Sequence, residues 1–154
     1  MSIGQRDYIL RMIQQIAQAI AAIALRIREG KLDEARSALD ETRRKIFGAM
    51  VDPLDRVDSP SVVTLLGAME KARAYALLLA VEADLRAARG EGRGAARARR
   101  RALEVHLTAA ARWPDDVRDE DRAAIVALGA EADVAALPAP LQAALAAARA
   151  APRA

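Results

Sequence analysis

Isoleucine stands at positions 9, 13, 16, 20, 23 and 27, a 4-3-4-3-4 spacing that only an α-helix turns into one continuous face. At 100° per residue the six side chains fall within an arc of roughly 80°. Met12, Ala19 and Ala24 widen that arc, while Arg11, Gln14, Gln15 and Gln18 lie opposite. Ser2 with Gln5 three residues on reads as a capping box, and Gly30 as the residue that accepts the left-handed turn at the helix end. The helix so bounded is roughly 40 Å long. Its stripe has to be covered. Isoleucine at both seam positions biases parallel coiled coils toward trimers or tetramers, but the short connection at Gly30 favours cover by the next helices of the same chain. A charge at Ile16 or Ile20 is therefore expected to unfold the protein. An Ile16→Asp variant that stays helical with an unchanged melting temperature would remove the seam from the core.

A second helix carries Leu32, Ala35, Leu39 and Ile46 on its apolar side and closes at Gly48. Asp33 and Glu34 sit in its first turn and Arg43, Arg44 and Lys45 in its last, as the helix dipole favours. Residues 49–59 read as an irregular connection with a short helical turn near Leu54 to Val57. Ser59-Pro60 then starts a third helix, Ser59 capping it, that runs to Arg89, with Val62, Leu65, Leu66, Met69, Ala76, Leu79 and Ala83 on one face. Gly90, Gly92 and Gly94 break it. A fourth helix spans about Ala95 to Ala111, with Ala95, Ala98, Ala102, Val105 and Ala109 inward, and Trp113-Pro114 stops it. A weaker helix follows over about 116–131, then an alanine-rich segment from Pro140 expected to fray after about residue 148. No strand-like alternation is long enough to count. The expected fold is all-α: two antiparallel helical hairpins over residues 1–112 and a short helical tail, 113–154, packed on the same domain.

Composition removes several kinds of chemistry. The 154 residues hold no cysteine and one histidine, so disulfides, thiolate metal sites and multi-histidine centres are not expected. Aromatic residues are 3%, too few for the stacking platforms of single-strand nucleic-acid binders. The net charge of +3 hides an asymmetry: residues 1–85 balance at 12 basic and 12 acidic, residues 86–112 hold eight arginines against two acids, and residues 113–154 hold four arginines against seven acids. Opposite blocks on successive helices can face one another. Met1 to Asp7 lacks a leader pattern, and the apolar run from Met12 to Leu25 contains Gln14, Gln15 and Gln18, which reads as too short and too polar to span a bilayer. The expectation is a cytoplasmic protein of bacterial type with no membrane partner.

Glu29-Gly30-Lys31-Leu32-Asp33-Glu34-Ala35 resembles the inter-helix turn of a tetratricopeptide repeat, in which glycine is followed five residues later by a small residue. Gly90 to Ala95 repeats that spacing, and Arg101-Ala102-Leu103-Glu104-Val105 resembles the end of the repeat's second helix. The match is partial: Ile23 stands where the repeat carries glycine or alanine, no proline ends the second helix, and Gly30 and Gly90 are farther apart than the roughly 34 residues of a tandem array. More widely, residues 5–110 resemble a bacterial family of short, all-helical, tetratricopeptide-like proteins, a domain of unknown function. Its members open with Asp-Tyr-Ile-x-Arg-x-Ile-x-Gln, here Asp7-Tyr8-Ile9-Leu10-Arg11-Met12-Ile13-Gln14-Gln15, and continue with a Gly-x-x-x-Glu-Ala hairpin, here Gly30, Glu34 and Ala35. The resemblance implies a tetratricopeptide-like bundle and brings no activity with it.

Nothing in the chain spells out catalysis. There is no Gly-x-Ser-x-Gly elbow and no Gly-x-x-x-x-Gly-Lys-Ser/Thr loop, and the glycines at 90–94 follow a helix rather than a strand. His106 reads as an ordinary helix-surface or half-buried histidine. No catalytic, cofactor-binding or metal-binding residue is assigned. The expected function is a non-catalytic protein–protein interaction module of adaptor or scaffold type. Its partner is unidentified, a homodimer is an option, and Tyr8, Arg11, Gln15 and Tyr75 line a groove between the first and third helices. The alternative is nucleic-acid or polyanion binding through the fourth helix and its start, with Arg93, Arg97, Arg100 and Arg101 as the contacts.

Overall fold

The computed structural model describes residues 2–152, apart from the side chain of Ile9, and among these it contains helices and no strand. The chain enters α1 (Ile3–Arg28) through the capping box read from the sequence. Ser2 Oγ accepts from the Gln5 N–H and the Gln5 side chain accepts from the Ser2 N–H, both at 3.2 Å. The helix closes on Gly30, at φ 76°, where the Gly30 N–H bonds to the Ile27 carbonyl and the Lys31 N–H to the Arg26 carbonyl. These are the two bonds of a Schellman closure. α2 (Leu32–Phe47) follows at once. The same pair of bonds recurs at Gly90, φ 78°, with Gly90 bonded to Ala87 and Glu91 to Arg86. It joins α5 (Met69–Ala88) to α6 (Gly92–Arg112). Two antiparallel hairpins, α1–α2 and α5–α6, result. Arg89 reaches Asp33 at 2.7 Å, tying the end of α5 to the start of α2, so α1 runs parallel to α5.

The link between the hairpins is more helical than expected. A 3₁₀ turn (Gly48–Met50) leads into α3 (Val51–Arg56), which starts ahead of Leu54, and then α4 (Ser59–Leu66). The single helix expected over 60–89 is two. Gly67, at φ 72°, ends α4, and α5 starts afresh at Met69. The break turns α4 onto α6 and buries Val62, Val63 and Leu66, while Leu65, assigned to the apolar face, is exposed. Asp58 rather than Ser59 caps α4, accepting the Ser61 N–H at 2.8 Å. Ser59 is buried instead and donates to Glu104 at 2.9 Å.

α5 and α6 form the centre, and many of their buried residues are alanines: Ala72, Ala76 and Ala83 on α5, Ala98, Ala102 and Ala109 on α6. Small side chains let two backbones approach closely. α6 is buried on two faces. Ala102, Val105 and Ala109 join the main core, as expected, while Leu103 and Leu107 form a second core with Ile125 of α7 (Asp119–Glu131), Leu137, and Leu145 of α8 (Ala139–Ala150). α8 keeps its helical geometry to Ala150, and Arg153 and Ala154 lie outside the described residues.

The isoleucine stripe is covered in part. Met12, Ile16 and Ile23 are buried, with α1 packed on α2 and α5, but Ile13, Ile20 and Ile27 are only half-buried. α1 as a whole, longer than the Met12–Leu25 run read from the sequence, is long and apolar enough to cross a bilayer by length and composition. A core helix passes the same test, although only 18% of its most apolar stretch is buried here.

Because a Cβ at Gly67 would meet no neighbouring atom, Gly67→Ala isolates backbone strain from packing. The substitution is expected to cost about 1–2 kcal/mol in urea denaturation, the penalty of a left-handed non-glycine residue. A stability gain would mean that the break between α4 and α5 is not set by this residue.

A candidate functional groove floored by a buried ion pair and a histidine

α1 and α7 flank α5 and leave a groove of about 280 Å³ between them. Its walls are apolar: Ile13, Ile16, Ala17 and Ile20 of α1, Ala74 and Leu77 of α5, and Ala124 of α7. The groove exists because the apolar surface of α1 is wider than α2 and α5 can cover. Ile3, Leu10, Ile13, Ala17 and Ile20 recur at spacings of seven, three, four and three along the flank toward the groove, and Ile3 and Leu10 remain 82% and 57% exposed. That is a second seam, beside the buried one, with the periodicity that takes a neighbouring helix.

The floor is polar. Arg73 of α5 is buried and grips Asp121 of α7 with two bonds, Nε to Oδ1 at 2.6 Å and Nη2 to Oδ2 at 2.7 Å. A third bond goes from Nη2 to the Asp116 carbonyl at 3.2 Å. His106 of α6 lies with Nε2 2.9 Å from Asp121 Oδ1, and the Arg118 N–H donates to Oδ2 at 2.8 Å. Since the carboxylate only accepts, Nε2 carries the proton that it receives. Burial works against the charge of Asp121. The hydrogen bonds from Arg73, His106 and the Arg118 backbone outweigh it and hold the carboxyl well below the usual carboxylate range. Arg73 Nη1 and His106 Nδ1 have no hydrogen-bond partner among the described residues. With Arg73 and Asp121 cancelling, Glu70 and Glu120 make the groove acidic.

The residues predicted for partner binding are not brought together. Tyr8, Arg11 and Gln15 are exposed on α1, but Tyr8 is turned about 140° from Ile13 around the helix, away from the groove. Arg11 Nε donates to the Asp7 carbonyl at 3.3 Å. Tyr75 is 1% exposed, so its place in a binding patch is corrected. Its hydroxyl donates to Asp55 at 2.9 Å and its ring meets Phe47 edge-on at 5.7 Å. His106, expected at or near the surface, is 1% exposed, because α7 packs over the side of α6 that carries it.

The arginine stripe is dispersed. Arg93 and Arg97 are exposed and have no carboxylate partner among the described residues, whereas Arg100 lies 3.8 Å from Glu104 and Arg101 turns inward to the Leu54 carbonyl at 2.6 Å. Arg99 pairs with Glu131 at 2.9 Å. Of the acidic block at 113–154, Glu131 reaches this cluster through Arg99, while Asp119 pairs with Arg122 and Glu120 with Arg118 within the block. Among the described residues no three metal-ligating side chains converge.

Arg73, Glu70, Glu120 and Asp121 were not singled out from the sequence. One signal was present: Arg73 falls on the helix face of Met69 and Ala76, and a charge on an apolar face requires a buried partner. Which of the many acids meets it, 48 residues away, has no local mark. Comparison with family models, curated proteins and solved structures found no match to this chain.

Removing one member of a buried pair strands the other. Asp121→Leu and Arg73→Met are each expected to lose about 3–5 kcal/mol, while the double variant recovers most of that loss. Because the Asp121 pKa is depressed by folding, its contribution is complete above the ordinary carboxylate pKa of about 4 and fades as pH falls below it. Chemical denaturation between pH 2 and 7 should therefore show a shallower acid-side decline for Asp121→Asn than for the wild type. Parallel curves would remove Asp121 from the acid response.

Proposed function

We propose that this chain is a non-catalytic protein-interaction module of adaptor or scaffold type, and that it takes a helix of a protein partner into the groove between α1 and α7. The observation that carries this reading is the second seam of α1. Ile3, Leu10, Ile13, Ala17 and Ile20 form a helix-spaced apolar flank that the chain's own helices leave exposed or half-buried. Laying an apolar helix face into such a groove is a recurrent mode of recognition, and Glu70 and Glu120 favour a partner helix that carries lysine or arginine beside its apolar face. The tetratricopeptide-like description and the cytoplasmic setting belong to the same proposal. Supporting the former are the matching closures at Gly30 and Gly90 and the pairing of two hairpins. The polyanion alternative retains Arg93 and Arg97 as exposed contacts and has less support, since the neighbouring arginines are already engaged.

A photo-crosslinking residue at Ala17, in the groove, should trap a discrete protein adduct in cells, and the same residue at the exposed Gln15, about 160° round the helix, should not. Leu10→Glu should abolish the Ala17 adduct while leaving the melting temperature within a few degrees, because Leu10 is exposed. An adduct of twice the chain mass would identify the partner as a second copy. No adduct at Ala17, or equal adducts at both positions, rules the groove out.

A further inference from the structure

We propose that a cleft between α2, α3, α5 and α6 binds a single phosphate group, as inorganic phosphate or at the end of a phosphomonoester. The cleft has a volume of about 260 Å³ and shares no lining residue with the groove, so it stands independently of the interaction reading. Arg43, Arg86, Arg97 and Arg101 line it, with Asp55 and Glu82 as its only acids among the described residues. Both carboxylates are already engaged. Asp55 is held by Arg43 and by the Tyr75 hydroxyl at 2.9 Å. Glu82 accepts from Arg36 at 2.8 Å and faces Arg86 at 3.9 Å.

Among the described residues, two guanidinium groups have no carboxylate at ion-pair distance, although Arg101 lies near enough to Asp58 to add to the hydrogen bonds from Ser61 that lower its pKa. Arg97 has no carboxylate partner among the described residues, and Arg101 touches only neutral acceptors, the Leu54 carbonyl at 2.6 Å and the Tyr75 hydroxyl at 3.5 Å. They stand one turn apart on α6, which sets their Cβ atoms roughly 6 Å from each other. Like charges at that spacing repel unless an anion lies between them, and guanidinium forks match phosphate oxygens in geometry. A Cβ at Gly94 would lie 2.9 Å from Arg86 Nη1, so the bare glycine is what lets Arg86 rest against the first turn of α6 at the rim of the cleft. Arg86 at the rim is already paired, with Glu82 at 3.9 Å and Glu91 at 3.5 Å, so Arg97 and Arg101 carry the site.

A track for a polyanion does not extend from this point, because Arg89, Arg99 and Arg100 each lie within 4.0 Å of a carboxylate of the chain. The arrangement suits one compact dianion.

Titration of the isotope-labelled full chain with sodium phosphate in low-chloride buffer, followed by amide and arginine Nε NMR signals, is the test. Saturable shifts confined to the cleft are expected, with a dissociation constant on the order of 1 mM. Arg97→Gln should weaken binding at least fivefold, and Arg93→Gln, exposed outside the cleft, should leave it unchanged. A parallel titration with phenyl phosphate distinguishes the sources: tighter binding than inorganic phosphate assigns the site to a phosphomonoester, weaker binding to the free ion. Shifts that never saturate, or that persist in Arg97→Gln, overturn the proposal. So does a single-stranded 20-mer whose binding falls steeply with salt and is weakened equally by Arg93→Gln and Arg97→Gln, which would restore the polyanion reading.

Discussion

A guanidinium cannot give up its proton to escape a buried site, so the placement of Arg73 inside α5 constrains everything around it. The charge has to be met, and Asp121 meets it with both oxygens. For that to happen the first turn of α7 must sit against the first turns of α5. The connection through Pro114–Asp116 bends accordingly and offers its own Asp116 carbonyl to the same arginine. His106 then brings α6 to the same carboxylate, and three helices meet at one side chain. Docked there, α7 turns Ile125 toward the second core and forms the far wall of the groove beside the uncovered flank of α1.

The remaining arginines follow a different logic. Most lie at or near the surface, where an ion pair is worth little, and they settle on whichever acid the packing brings near: Arg89 on Asp33, Arg36 on Asp40 and Glu82, Arg99 on Glu131. A run of eight arginines in 27 residues is thereby converted from a stripe into scattered pairs. Among the described residues, charge survives without a carboxylate at Arg93, at Arg112 over the Trp113 ring, and in the cleft holding Arg97 and Arg101. The uneven result is why a cluster that suggested a polyanion track in the sequence gives way to one compact basic cleft.

Several elements were legible because their physics is local. The capping box needs only Ser2 and Gln5, and the hairpin turns need only a glycine that tolerates φ near 77°. The break at Gly67 was not read, although a glycine after Leu66 can close a helix, because the apolar periodicity on either side masked it. Tyr75 was misplaced because a tyrosine at the margin of an apolar face can turn inward or outward. Only the hydroxyl's partner, Asp55 on α3, decides which. His106 was misplaced because the second buried face of α6 depends on α7 and α8 folding back over it, and the alanine pattern of α6 advertised only the first face.

Helix content, the two antiparallel hairpins and the main buried stripe of α1 were therefore determined by the sequence alone, because hydrogen bonds between residues three to five apart and a 3.6-residue period act before any distant contact forms. Tertiary structure alone decided which acid neutralises Arg73, which arginines stay unpaired and which part of the isoleucine-rich helix stays uncovered. Those outcomes depend on distant partners, such as Asp121, 48 residues from Arg73, and Asp33, 56 residues from Arg89. Electrostatics and packing choose among such distant partners only after the helices have found their places.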